Sequence, residues 1–335
     1  MAKCLVVCRF ISLALSVLLL SSCFVQTSSP AKEFYTWNGL EPDKWASAWL
    51  INRHIAPTSK LSILPAGAQL SGAIAFDIPE ATYRRRHGLS TYEGLIQAHG
   101  LENDPVLKRI GEIINHIEIS PWTTPDSDDA IVVENRYRDL QQKFSRNHVP
   151  VRCYSGFFDR LYQMLESNPS TMNTIGLEAS LDVASICGED VAPNVEYMQQ
   201  AVLEYPINNI LEMIAKGKKV VFVDTREEPE YDEFHIPGAI NIRLRDVSFE
   251  TVTQLDGADL VISYCIKDFR GYEVAQALRR VGVQPVGIMK PYGLKGWKDL
   301  GLPVAERDAV SDEAALTLLQ HCAQQKACRN TNNKS

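Results

Sequence analysis

The sequence predicts an α/β protein. Its C-terminal part is a central, mostly parallel sheet flanked by helices, and a mainly α or α+β part precedes it. Three observations carry this reading. From Tyr205 onward, short apolar runs alternate with segments of helical spacing. A loop-like stretch, Gly188 to Asn194, separates that region from a longer one before it. The length, 335 residues, accommodates two domains. Hydrophobic residues make up 45% of the chain and charged residues 22%, an ordinary globular balance. A net charge of −7 speaks against a nucleic-acid partner, which selects a basic face.

At the N-terminus, Lys3 and Arg9 form a short positive region before an apolar core of 11 residues, Phe10 to Leu20. That is short for a membrane span, which takes about 20 residues, and it has the layout of a signal peptide. Leu20-Ser21-Ser22-Cys23 resembles a bacterial lipobox. The resemblance implies cleavage after residue 22, a lipid on Cys23, and a tether over residues 23–35. The expected location is the periplasm, on a membrane anchor, or outside the cell if the signal is an ordinary cleavable one.

Residues 36–193 form the first globular segment, and Tyr137 to Phe144 and Phe157 to Leu165 have helical periodicity. Residues 205–308 form the second. There Tyr205 to Lys216 reads as a helix. Lys219 to Asp224, Ala239 to Ile242, Leu260 to Tyr264 and Val286 to Met289 read as strands, and Gly271 to Val281 as a helix. Residues 309–335 read as a terminal helix capped by Ser311, then a disordered tail. Of eight cysteines, Cys4 and Cys8 leave with the signal. Cys153, Cys187, Cys322 and Cys328 suffice for two disulfides whose connectivity sequence does not reveal, and free buried thiols at Cys153 and Cys187 are the alternative. No Cys/His metal spacing and no cofactor signature is present.

The chemistry concentrates between the third strand of the second segment and the helix after it, at Cys265-Ile266-Lys267-Asp268-Phe269-Arg270-Gly271. A nucleophile at the C-terminal end of a central strand stands where open α/β sheets bind ligands. The amides opening the helix can converge on the sulfur and lower its pKa. Lys267 and Arg270 add positive charge for an incoming anion, and Asp268 works against them.

This loop and its flanks resemble the rhodanese family. The flanks are Asp224-Thr225-Arg226, His235-Ile236-Pro237-Gly238-Ala239-Ile240-Asn241-Ile242, Tyr292-Gly293-Leu294-Lys295-Gly296-Trp297 and Gly301-Leu302-Pro303-Val304. The resemblance implies a sulfurtransferase. Cys265 would accept a sulfane sulfur as a persulfide from a small donor anion and pass it to a thiol or cyanide. Ile266 to Gly271 would bind the donor, and Asp224, Arg226 and His235 would support the loop. Four residues separate Cys265 from Arg270. Phosphatases and arsenate reductases of this fold use a longer loop, so sulfur transfer is expected over phosphate hydrolysis. Family members often carry Gly at the positions of Asp268 and Phe234. Asp tolerates a left-handed backbone better than most residues, but its charge is expected to oppose an anion.

In the first segment, Asp43 to Arg53, Phe76-Asp77-Ile78-Pro79, Tyr83-Arg84-Arg85-Arg86-His87-Gly88 and Ser90-Thr91-Tyr92-Glu93 resemble the C-terminal domain of the chromate-resistance ChrB family. The resemblance implies an oxyanion-stress setting. Lys44, Arg53, Arg86 and His87, with Arg84 and Arg85, are candidates for an oxyanion pocket, and three adjacent arginines also fit a solvated face. Two alternatives to catalysis stay open. One is a non-catalytic module that binds an oxyanion or a partner protein, and the other is a redox sensor based on Cys265.

Overall fold

A central helix organises the first half of the molecule. In the computed structural model, which describes residues 33–86, 88–121, 128–146, 148–167, 174–188 and 202–325, that helix is α1 (Pro42–Leu50). All nine of its residues are buried. Pro42 stands at its start, where the missing N–H costs nothing. Trp45 stacks on Tyr154 with ring centroids 4.2 Å apart, so both tryptophans of α1 serve the core. The signal segment, Cys23, the linker to Lys32, His87, Trp122 and Cys328 lie outside the described residues.

Around α1 pack α2 (Thr91–Ala98), α3 (Pro105–Glu118), α4 (Asp128–Lys143) and α5 (Val151–Ser167), followed by α6 (Thr174–Ser180) and α7 (Val183–Cys187). Ser90 and Glu93 form a reciprocal capping box on α2. Cys153 of α5 and Cys187 of α7 are joined as a disulfide, which removes the free-thiol alternative for that pair. Cys322 is also disulfide-bonded. A short parallel sheet in the order β2–β1–β3 (Lys60–Leu64, Glu33–Trp37, Ile74–Ala75) lines one edge of this half. No strand was expected there by name. Its members are short and of mixed polarity, so their periodicity is weak.

The second half is a five-stranded parallel sheet in the order β4–β9–β8–β5–β7. β4 is Leu203–Pro206, β5 Val220–Asp224, β7 Ile240–Asn241, β8 Leu260–Tyr264 and β9 Val286–Lys290. β6 (Phe234–His235) pairs separately with β10 (Ala305–Glu306). The helices are α8 (Ile207–Ala215), α9 (Glu228–Glu233), α10 (Phe269–Arg280), α11 (Gly293–Asp299) and α12 (Asp312–Gln325). The expected helix from Tyr205 begins two residues later, because Leu203–Pro206 pairs with β9 as an edge strand. An edge strand half exposed to water has no apolar signature.

Both faces of the sheet are covered. Phe222, Leu260, Ile262 and Tyr264 face Ile207 and Ile210 of α8, Leu294 and Trp297 of α11 and Leu319 of α12. Val221, Val223 and Val261 alternate with them and face the other way. They join Val274, Ala275 and Leu278 of α10 in a core that continues through Phe269 into Tyr137, Phe157 and Trp45 of the first half. Residues 32–335 are accordingly one compact unit. Because this core is shared, the two halves are expected to unfold together. Urea titrations followed by far-ultraviolet dichroism and by alkylation of Cys265 should give one coincident transition, and two separated midpoints would contradict it.

Candidate functional site

Cys265 follows a strand whose five residues are all buried. Two neighbours hold the turn behind it. The carbonyl of Cys265 accepts the Leu294 amide at 2.9 Å, and that of Ile266 accepts the Lys295 amide at 2.9 Å. Gly293 makes this possible. Its backbone is left-handed (φ +61°), and a Cβ there would strike the Lys267 carbonyl and approach those of Cys265 and Ile266 to 2.6 Å. Gly271 admits α10 against β8 for a similar reason, since a Cβ would meet the Tyr264 Cα at 2.9 Å. The Gly271 amide donates to the Cys265 sulfur.

The thiol is 3% exposed, and burial pushes its pKa up; the charge of Arg270 and the Gly271 amide oppose that, while Asp268 and Glu118 add to it. The expected depression of the thiol is therefore reversed. Withdrawal from water outweighs the helix amide and the one guanidinium. Among the described residues Cys265 is the one free cysteine.

The loop side chains do not turn toward a solvent-borne anion. Lys267 Nζ contacts Glu134 Oε2 at 2.8 Å. Asp268 contacts Arg138 and Arg146, each at 2.7 Å. The Phe269 ring meets Tyr137 edge-on at 6.0 Å, with the Arg138 guanidinium 4.7 Å from its centroid. Glu134, Tyr137 and Arg138 share one face of α4 by their three- and four-residue spacing. Arg146 reaches Asp268 from a turn whose residues Ser145 and Arg146 adopt left-handed backbone, with φ of 52° and 65°. Asp268 itself has φ −142°, so no tolerance of left-handed geometry is called on. Its charge is matched by the first half of the molecule and is not aimed at a donor.

Asp224, Arg226 and His235 sit behind the loop. Arg226 and Asp224 pair at 2.7 Å, 1% and 0% exposed, and Arg226 also donates to the Phe234 carbonyl. The Asn241 amide ties the Asp224 and Arg226 carbonyls. His235 stacks on Tyr231, with Nδ1 2.9 Å from the Tyr231 carbonyl and Nε2 3.4 Å from Asp312. All three are spent on structure.

Arg270 is the loop side chain that reaches open space. It lines a cavity of about 160 Å³ between the two halves, to which the second half also gives Arg243 and Arg245 and the first gives Lys44, Arg84 and Arg85. Cys265 is not among the lining residues. Lys44 is pinned to Asp77 at 2.7 Å. Arg53 and Arg86, expected beside it, are elsewhere: Arg53 pairs with Asp159 at 2.9 Å on the surface, and Arg86 is exposed and bonds Leu89 through its backbone. Consecutive residues on an extended segment point to opposite sides, so Arg85 faces inward where Arg86 does not. Glu118, Glu230 and Glu273 were not anticipated, because their charged partners come only across the fold.

Residues 34–165 match the family model described as ChrB, C-terminal domain, and residues 208–300 match the rhodanese-like domain. The chain is a fusion of these two domains. A protein from Bacillus halodurans of solved structure is 25% identical, with 33% of this chain and 82% of that one covered and a TM-score of 0.29. An uncharacterized protein from Saccharomyces cerevisiae is 25% identical over 30% of this chain and 93% of that one, with a TM-score of 0.25. A thiosulfate sulfurtransferase from Pseudomonas aeruginosa is 12% identical, covering 83% of this chain and 60% of that one, with a TM-score of 0.29. No curated protein matches the chain.

Replacing Asp268 by Ala would leave Arg146 without its carboxylate and Arg138 with Glu134 alone. The expected loss is about 3–5 kcal/mol of stability, measured by urea unfolding. An unchanged midpoint would show that the ion pairs do not hold the two domains together.

Proposed function

We propose that this chain is a sulfurtransferase in which Cys265 carries sulfur as a persulfide. The observation that carries the reading is the placement of one free thiol at the end of β8, with the Gly271 amide on its sulfur and the Arg270 charge beside it. The rhodanese-like domain supplies a sulfurtransferase-type fold. The thiol first loses its proton to water. With thiosulfate as donor, the thiolate attacks the outer sulfur, a new S–S bond forms, the old one breaks, and sulfite leaves with the electron pair. A small thiolate or cyanide then attacks the outer sulfur of the persulfide and releases the Cys265 thiolate. Negative charge borne by the sulfur in both states is met by the amide and the guanidinium.

Incubation with thiosulfate is expected to add about 32 Da, one sulfur, to the Cys265 peptide and none to a Cys265→Ala chain. A disulfide or sulfenate at Cys265 with no added sulfur would favour redox sensing, and thiocyanate formed equally by parent and variant would end the catalytic reading. The pH dependence has a definite sign. Burial disfavours the thiolate, so sulfur loading should keep rising with pH above the range where the same thiol titrates in the urea-unfolded chain. A plateau at lower pH than in the unfolded chain would contradict this.

The reading extends to place and setting. The signal-like N-terminus and Cys23 support a lipid-anchored periplasmic protein, and the Cys153–Cys187 disulfide supports an oxidising compartment. The ChrB C-terminal domain supports a link to chromate or related oxyanions. Cys23→Ala is expected to move the protein from the membrane to the soluble fraction of a bacterial host, and unchanged fractionation would refute the anchor.

A further inference from the structure

In the closed arrangement described above, a sulfur donor has no way to Cys265. A reacting anion must come within about 3–3.5 Å of the sulfur, but Cys265 is 3% exposed and lies outside the cavity that Arg270 lines. Its neighbours Ile266, Asp268 and Phe269 are buried as well. α4 and the turn after it form the cover. Glu134 holds Lys267, Arg138 and Arg146 hold Asp268, and Tyr137 meets the Phe269 ring. Further arginine–ring contacts extend the seam, Arg138 over Tyr292 at 4.3 Å and Arg146 over Tyr272 at 4.2 Å.

This seam is built mainly from charge, and its centre is poorly aligned. Arg138 and Arg146 each lie 2.7 Å from an Asp268 oxygen. Even so, both Asp268 oxygens and Arg146 Nη2 are buried outside hydrogen-bond geometry among the described residues. A buried ion pair recovers the cost of leaving water only when its geometry is good and its remaining hydrogen bonds are made. Water would satisfy these three side chains fully once α4 moved away. On the cover side, Arg146 is reached through left-handed backbone at Ser145 and Arg146, a conformation that residues with a Cβ rarely adopt. The loop keeps its backbone bonds to Leu294 and Lys295 inside its own domain. Lifting α4 therefore uncovers the loop without unmaking its turn.

We propose that α4 and the turn after it are an autoinhibitory cover, which must lift from the Cys265 loop before a donor or acceptor reaches the sulfur. The closed state is the one described, and in the open state Asp268 and its arginines are hydrated. The closed state predominates, so the observed reactivity of the thiol is that of the open chain multiplied by the open fraction. Opening is a local, minority event and adds no second step to unfolding in urea. The inference concerns access to the thiol. It rests on the sulfurtransferase reading only for naming what enters.

Alkylation of the Cys265 peptide by iodoacetamide, a small neutral reagent, reads access without any sulfur transfer. The folded parent is expected to react on the order of 10–1000-fold more slowly than the urea-unfolded chain, as an open state of about 0.1–10% requires. It should still react faster than its globally unfolded fraction allows. Glu134→Gln and Arg146→Gln should each raise the rate ~10-fold or more, because each strips a partner from the closed seam. The two remove charges of opposite sign, so an effect through the thiol pKa alone would speed one and slow the other. Lys218→Gln, which breaks a surface pair with Asp259, should leave the rate unchanged. Opposite responses from Glu134→Gln and Arg146→Gln overturn the proposal. So does a parent rate equal to that of the unfolded chain, or one that matches the globally unfolded fraction. Those two comparisons need no variant and decide the matter should a variant not fold. Faster alkylation of both variants, with no sulfur gained from thiosulfate by any of these chains, would keep the cover and sink the sulfur-transfer reading alone.

Discussion

A line of alternating charges fastens the Cys265 loop to the ChrB-like domain, and the rest of the site depends on it. Lys267, Glu134, Arg138, Asp268 and Arg146 succeed one another at 2.7–2.8 Å. Three of the five lie on α4 or the turn after it, and two belong to the loop. Asp268 is 1% exposed and the two arginines 11% and 12%. Such a buried array is tolerable only when every charge has its complement, because an unpaired member would carry the full cost of leaving water. That requirement positions α4 over the loop more strictly than apolar contact alone, which has no direction.

The same fastening sets the chemistry of the thiol. Covering the loop excludes water from Cys265, and exclusion penalises the thiolate more than the Gly271 amide and Arg270 favour it. In the proposed sulfur transfer, the gain comes later along the reaction coordinate. Where water is absent, a fixed amide and a fixed guanidinium interact more strongly with charge developing on sulfur. The cover also gives the protein a cavity bounded by both domains, with three basic side chains and two carboxylates from each.

Much of the rhodanese-like half was legible in the sequence. Its strands are short, buried on both faces and rich in Val, Ile and Leu, so periodicity located β5, β8 and β9 to within a residue or two. Gly271 and Gly293 were visible in the motifs, although the close approaches that require them were not. The β4 edge strand and the small N-terminal sheet escaped because half-exposed strands lack a run of apolar residues. In the first domain, Arg84, Arg85 and Arg86 read alike in sequence, and only the fold turns Arg85 toward Asp43 and Glu118 while leaving Arg86 in water.

What the sequence by itself determined is the local chemistry: a cysteine at a strand end, an arginine at a fixed interval after it, and the glycines that let the loop turn. These depend on residues near one another in the chain. Tertiary structure alone decided the partners of Lys267 and Asp268, the direction of the Cys265 pKa and the pairing of Cys153 with Cys187. Each is a relation between groups far apart in sequence, and charge and desolvation depend on distance in space, which residue order does not carry.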